Sequence, residues 1–123
     1  MTNINTVAVS GNLVADCEKG KAGETPIITF VVAVNEYRRT KDGQGENYAN
    51  FFECTMFGKR VQGLAKYMTK GQRVTVLGHL RQSRWEKDGE KKSKVSIVAE
   101  EVELFIPKQE SDDLKHEQLD IPW

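Results

Sequence analysis

The 123-residue chain is poor in the residues that most often carry chemistry, with two cysteines, two histidines and a formal net charge of zero. Cys17 and Cys54 lie far apart, without a Cys-x-x-Cys pair or a Cys/His cluster, which argues against a zinc site and a disulfide framework and fits a reducing cytosol. His79 and His116 are isolated, and His79, beside Gly78 in an alternating run, reads as an ordinary strand residue rather than a base or ligand. No glycine-rich phosphate loop is present: Gly43-Gln44-Gly45 sits in a charged stretch with no helix behind it and so marks a turn. The scattered acids show no metal-ligand spacing. No segment approaches the roughly 20 apolar residues of a membrane helix, and Met1 to Asn5 lack a charged leader and an apolar run. The expectation is a non-enzymatic chain without cofactor or metal, neither exported nor membrane-anchored, and cytoplasmic.

The zero net charge conceals an asymmetry. Residues 107–123 hold five acids (Glu110, Asp112, Asp113, Glu117 and Asp120) against Lys108 and Lys115, a net of −3, which leaves the rest at +3. Residues 36–94 alone carry fourteen Lys and Arg against seven Asp and Glu. A polyanion is the natural partner for that middle.

Apolar residues recur at alternate positions, the two-residue period of strands. Val7, Val9, Gly11 and Leu13 form one run, and Ile28, Phe30, Val32 and Val34 a second. A third, residues 48–57, sets Phe52, Cys54 and Met56 against Phe51, Glu53, Thr55 and Phe57. The fourth, residues 72–85, sets Val74, Val76, Gly78 and Leu80 against Arg73, Thr75, Leu77, His79, Arg81 and Trp85. A fifth runs over 94–105, where Glu100-Glu101 marks a bulge or a shift of register. Between the third and fourth, Val61, Leu64, Ala65 and Met68 fall at i, i+3, i+4 and i+7, predicting one helix that Gly71 stops. Residues 39–47 and 86–93 read as charged hairpin loops. Five strands with a helix between the third and fourth is the order of an all-β OB-fold barrel, and a generic small barrel or sandwich is the alternative. Residues 1–106 are expected to form this domain and 107–123 a disordered acidic tail.

One predicted strand face mixes aromatic rings with bases. Phe51 and Phe57 share a face; Trp85 follows Arg73 and Arg81 along another; Tyr37 ends the second strand before Arg38. Flat rings at intervals supply base stacking of roughly 1–3 kcal/mol each, while Lys and Arg track phosphates. Such a face calls for single-stranded nucleic acid, because a duplex hides its base faces. If the faces were inverted, Phe51 and Phe57 would be core, and each basic residue taken singly reads as solvated surface; their clustering carries the argument.

These residues resemble the bacterial single-stranded DNA-binding proteins over residues 5–106 and again at the tip. Asn5 to Leu13, Phe30 to Asn35, Phe51 to Lys59 and Lys70 to Leu80, with Trp85 behind the last, match that family's segments in order. The resemblance implies a sequence-tolerant coat for unwound DNA in replication, recombination and repair, associated with the nucleoid and usually a homotetramer. It places stacking roles on Tyr37, Phe51, Phe57 and Trp85 and basic roles on Lys59, Lys70, Arg81 and Arg84, to which the charge pattern adds Arg38 and Arg73 as phosphate contacts. Asp120-Ile121-Pro122-Trp123 resembles the tip by which relatives recruit partner proteins. Departures are Glu53 on the stacking face, Phe52 near the family's subunit contact, a short link from 107 to 118, and Trp123 where relatives carry Phe. An RNA-binding or replication-restart accessory OB protein would share the surface but not the tip.

Overall fold

The structure, a computed structural model, describes residues 2–105. Met1 and residues 106–123, and with them the expected tail and its tip, lie outside the described residues. The strands are β1 (Val7–Leu13), β2 (Glu18–Ala22), β3 (Thr25–Arg38), β4 (Glu46–Phe57), β5 (Arg73–Lys87) and β6 (Glu90–Leu104). A short helix, α1 (Arg60–Leu64), continues as a single 3₁₀ turn (Ala65–Tyr67) between β4 and β5. The sheet order is β1-β5-β6-β4-β3-β2, and β1 also meets β3 at Asn12↔Ala33 and Leu13↔Val32, closing β1, β3, β4, β5 and β6 into a five-stranded barrel. All pairings are antiparallel except β4 with β6. This is the expected all-β barrel, with its helix between the third and fourth barrel strands.

The alternation read from the sequence is the alternation of burial. Ile28, Phe30 and Val32 of β3, Cys54 and Met56 of β4, Val74 and Val76 of β5, and Ile97 and Ala99 of β6 all point inward and are buried. A helix this short has little stability of its own. Val61, Ala65 and Met68 hold it by plugging one end of the barrel, each large side chain so buried contributing roughly 1.5–3 kcal/mol. Two inward glycines permit close strand approach: a Cβ at Gly11 would lie 2.1 Å from the Ala33 carbonyl oxygen, and one at Gly78 2.0 Å from that of Val98. The expected bulge is present, since Leu77 faces Glu101 while Gly78 faces Ala99, leaving Glu100 unopposed. His79 Nδ1 lies 3.0 Å from the Glu100 carboxylate, and Arg60 reaches from α1 to the Glu101 carboxylate (3.3 Å) and the Glu100 carbonyl, so the bulge is tied to the helix.

Two features differ from expectation. Residues 86–93 are not a loop: β5 and β6 continue as a paired ribbon to Lys87↔Glu90, closed by Asp88-Gly89 with φ of +51° and +79°. An Asp-Gly pair with both residues at positive φ is the favoured two-residue hairpin turn, and a stretch of seven charged or polar residues and one glycine had masked it. The second is β2, a sixth strand whose Glu-Lys-Gly-Lys-Ala has no apolar period because every residue is exposed at the sheet edge. Among the described residues no helix is long and apolar enough to cross a membrane.

Candidate nucleic-acid interface

Register decides which side chains share a surface. On β4 the outward residues are Phe51, Glu53, Thr55 and Phe57, opposite Ala33, Val31, Thr29 and Ile27 of β3. On its other side β4 meets β6 with Thr55 beside Val98, and β6 in turn sets Val98, Ser96 and Lys92 opposite His79, Arg81 and Trp85 of β5. One outer face therefore runs across β3, β4, β6 and β5. Phe51 is 65% exposed, Trp85 45% and Phe57 37%. Rings held in water on a regular sheet contribute nothing to the core, so their presence points to a ligand.

Charge completes the face. Arg81 and Trp85 stand on the same side of β5, and Lys92 and Lys94 beside them on β6. Lys94 Nζ lies 2.9 Å from Glu53 Oε1, between the Phe51 and Phe57 positions, so the acid on the aromatic face is already paired with a base from the neighbouring strand. Lys92 and Lys94 were not among the residues singled out from the sequence. Extending the alternation of Ser96 and Val98 against Ile97 and Ala99 backward through residues 92–94 would have found them.

Tyr37 stands at the rim, 68% exposed, with its hydroxyl donating to the Gln44 carbonyl (2.9 Å). Its ring lies over Gly45, where a Cβ would come within 1.9 Å of the phenol oxygen and φ is +83°. The 39–45 loop beneath is closed by its own side chains: Gly45 N–H donates to Thr40 Oγ1 (3.0 Å) and Gln44 N–H to Asp42 Oδ1 (3.2 Å). The Thr40 hydroxyl, and then the Gln44 amide, hold the Asp42 carboxyl below the usual carboxylate range.

The remaining predicted bases separate. Arg38 lies on the opposite side of the β3–β4 ribbon from Tyr37, paired with Glu46 (3.0 Å) and stacked over Tyr48 at 3.9 Å. Arg84 faces Ser93, on the reverse of the ribbon from Trp85, and donates to Gln82 Oε1 (2.8 Å). Lys59 immediately precedes α1, just beyond Phe57. Lys70 and Arg73 stand at the far end of β5 from Trp85, where Arg73 Nη1 donates to Asn12 Oδ1 (3.2 Å) and Asp16 accepts from the Lys70 backbone. The structure thus gathers Phe51, Phe57, Trp85 and Arg81 on one face, with Tyr37 and Lys59 at its margins, and leaves Arg38, Arg84, Lys70 and Arg73 off it. Burial pushes the Cys54 thiol up to about 12, with the Glu53 charge adding to it, and burial also raises Cys17 against the opposing influence of Lys19. Among the described residues no three His, Cys, Asp or Glu side chains are placed to hold a metal ion.

The profile of the single-strand binding protein family matches residues 4–105. A single-stranded DNA-binding protein of Treponema pallidum is 38% identical over 106 residues, covering 85% of this chain and 60% of that protein. Another from Thermotoga maritima is 33% identical over 125 aligned positions, covering 99% and 89% respectively. A crystal structure of a deletion mutant of the single-stranded DNA binding protein from Thermus aquaticus superposes with a TM-score of 0.75 at 26% identity, over 85% of this chain and 52% of that one. This chain therefore spans little more than half the length of the first and third of these relatives. The chain belongs to the single-strand binding protein family.

Proposed function

We propose that the protein binds single-stranded DNA with little sequence preference, protecting it during replication, recombination and repair. The observation that carries this reading is the continuous face on which Phe51, Phe57 and Trp85 stand outward among Arg81, Lys92 and Lys94. Each ring offers a stacking surface to any base, worth roughly 1–3 kcal/mol, and the bases between them follow the phosphates. Arg81, Lys92 and Lys94 are the first phosphate contacts on this reading. Lys59 and Tyr37 extend the path at its two margins, and Arg38, Arg84, Lys70 and Arg73 join only where the strand turns around the barrel. The chemistry is non-covalent binding: no step requires a nucleophile or a cofactor.

The binding unit is residues 1–106, and it assembles as a homo-oligomer, a tetramer on the family pattern. Among the described residues β1 pairs with β3 only at Asn12 and Leu13, so its edge from Val7 to Gly11 is open to a second copy. Phe52, Leu80 and Val95, which are 37%, 46% and 59% exposed, supply apolar surface for further contact. Residues 107–123 act separately, with Asp120, Ile121, Pro122 and Trp123 engaging replication, recombination and repair proteins; a basic-rimmed apolar pocket on the partner suits that tip.

Quenching of Trp85 fluorescence by oligo-dT, in a Trp123→Ala background that leaves Trp85 as the sole tryptophan, tests the reading. Saturable quenching is expected, with log K falling as log salt rises by about 0.7 per phosphate contacted. Equal affinity for duplex DNA, or a preference for poly-U over poly-dT, would count against it.

A further inference from the structure

Gly43-Gln44-Gly45, which the sequence marks only as a turn, belongs to a loop whose hydrogen bonds converge on one aromatic ring. The loop leaves β3 after Arg38 and enters β4 at Glu46, the last pair of that ribbon. On the side of the ribbon away from Tyr37, Arg38 locks this end by pairing with Glu46 (3.0 Å) and stacking over Tyr48. Gly43 N–H donates to the Thr40 carbonyl (3.0 Å), which makes the first turn. The remaining polar groups form a chain. Gly45 N–H donates to Thr40 Oγ1, the Thr40 hydroxyl donates to Asp42 Oδ1, and that same oxygen accepts from Gln44 N–H.

The chain ends on a single peptide group. The Gln44–Gly45 peptide is held at its N–H by Thr40, and its carbonyl accepts the hydroxyl of Tyr37. Gly45, at φ +83°, is the residue over which the ring edge lies, and any larger residue would collide with it. An Asp that bonds the backbone two residues on is ordinary turn chemistry. That accounts for the bond from Gln44, but it does not require Thr40 to link Asp42 to the peptide that receives the phenol. Among the described residues Asp42 makes no ion pair, and it stands at the margin of a face that carries bases. Its charge opposes phosphates there, so its contribution must be sought in its bonds.

We propose that Thr40 and Asp42 are positioning residues for Tyr37. They fix the Gln44–Gly45 peptide, the peptide fixes the phenol hydroxyl, and the ring is held ready for a base of single-stranded DNA. The inference rests on the reading of Tyr37 as a stacking residue. A ring ordered before binding loses less freedom when a base settles on it, and affinity rises by what is not lost.

The test compares Asp42→Asn with Asp42→Ala in the full chain, by quenching of Trp85 with oligo-dT in the Trp123→Ala background. Both substitutions remove the same charge; only Asn keeps an oxygen that can accept from Thr40 and Gln44. Asp42→Ala should bind dT roughly threefold less tightly than Asp42→Asn, a fraction of the roughly 5- to 150-fold that a whole stacked ring carries. With Tyr37→Ala added the two should bind alike, because the oxygen then has no ring to place. Tyr37→Phe, which keeps the ring and loses the bond to Gln44, should also bind more weakly than the parent. Equal affinity of the Asn and Ala variants, a difference between them that persists without Tyr37, or parental affinity in Tyr37→Phe would each overturn the proposal. If Tyr37→Ala binds dT as the parent does, the ring takes no base, and the proposal falls while Phe51, Phe57 and Trp85 keep their roles. If the unmodified chain does not bind dT, the reading of the whole face falls with it.

Discussion

The two halves of β5 obey different rules. From Arg73 to Gly78 exposed and buried residues alternate without exception, while every residue from Leu80 to Lys87 is exposed. β6 repeats the contrast in reverse, open from Glu90 to Val95 and alternating from Ser96 to Ala99, and β3 passes from an alternating stretch to an exposed one after Val34. In the closed barrel each inward side chain is constrained by the strands around it. In the ribbons both faces meet solvent, and packing does not select Trp85, Arg81 or Lys92. What stands there is left for recognition to explain.

That contrast can be broken from either side. The largest effect should come from the barrel: Phe30→Ala removes a ring only 3% exposed at the centre of the core and should cost about 3–5 kcal/mol of unfolding free energy in denaturant titrations. Any dT affinity remaining, measured where the variant is still folded, should be close to that of the parent. A smaller effect is expected at the pair that joins the two regimes. Because Glu53 holds Lys94 at 2.9 Å, a phosphate must compete for that lysine. Glu53→Gln should raise dT affinity roughly fivefold near 0.1 M salt and steepen the salt slope by about 0.7, and Lys94→Ala should do the reverse. An unchanged slope in Glu53→Gln would show that Lys94 does not meet DNA.

The smallest effect near neutrality belongs to Cys54, whose thiol is pushed up to about 12 from an ordinary value near 9. The folded state favours the protonated thiol more than the unfolded chain does, so its contribution is complete below about 9 and is lost as pH rises toward about 12. Unfolding midpoints should decline over that interval and decline less in Cys54→Ala. At neutral pH a thiol reagent should modify Cys17 well before Cys54, since Cys54 is fully buried and Cys17 is not.

The barrel was legible because burial imposes a period: closure forces the two-residue period on the strands carrying Ile28, Phe30, Val74 and Val76, the bulge at Glu100 shows as its interruption, and packing against the barrel end gives Val61 and Met68 the spacing of a helix. The elements that lie outside the barrel lacked that signal. β2 has no buried residue to betray it, and the Asp88-Gly89 ribbon looked like a loop because both its faces are polar. The candidate face was half legible for the same reason. Phe51, Phe57 and Trp85 stood out as rings on the wrong side of an alternation. Charge clustering could not tell Arg81 on the face from Arg84 behind it, because adjacent strand residues point to opposite sides and only the register with Ser96 and Ser93 assigns them.

The most direct test of the division between folding and recognition is the Phe51→Ala/Phe57→Ala double variant, measured for dT affinity and unfolding free energy in the same buffer. Stability should stay within about 1 kcal/mol of the parent, as for exposed sites. Binding should weaken by roughly 2–6 kcal/mol, the loss of two stacked bases. A variant that binds dT as tightly as the parent, or that loses binding only because it no longer folds, would contradict the account.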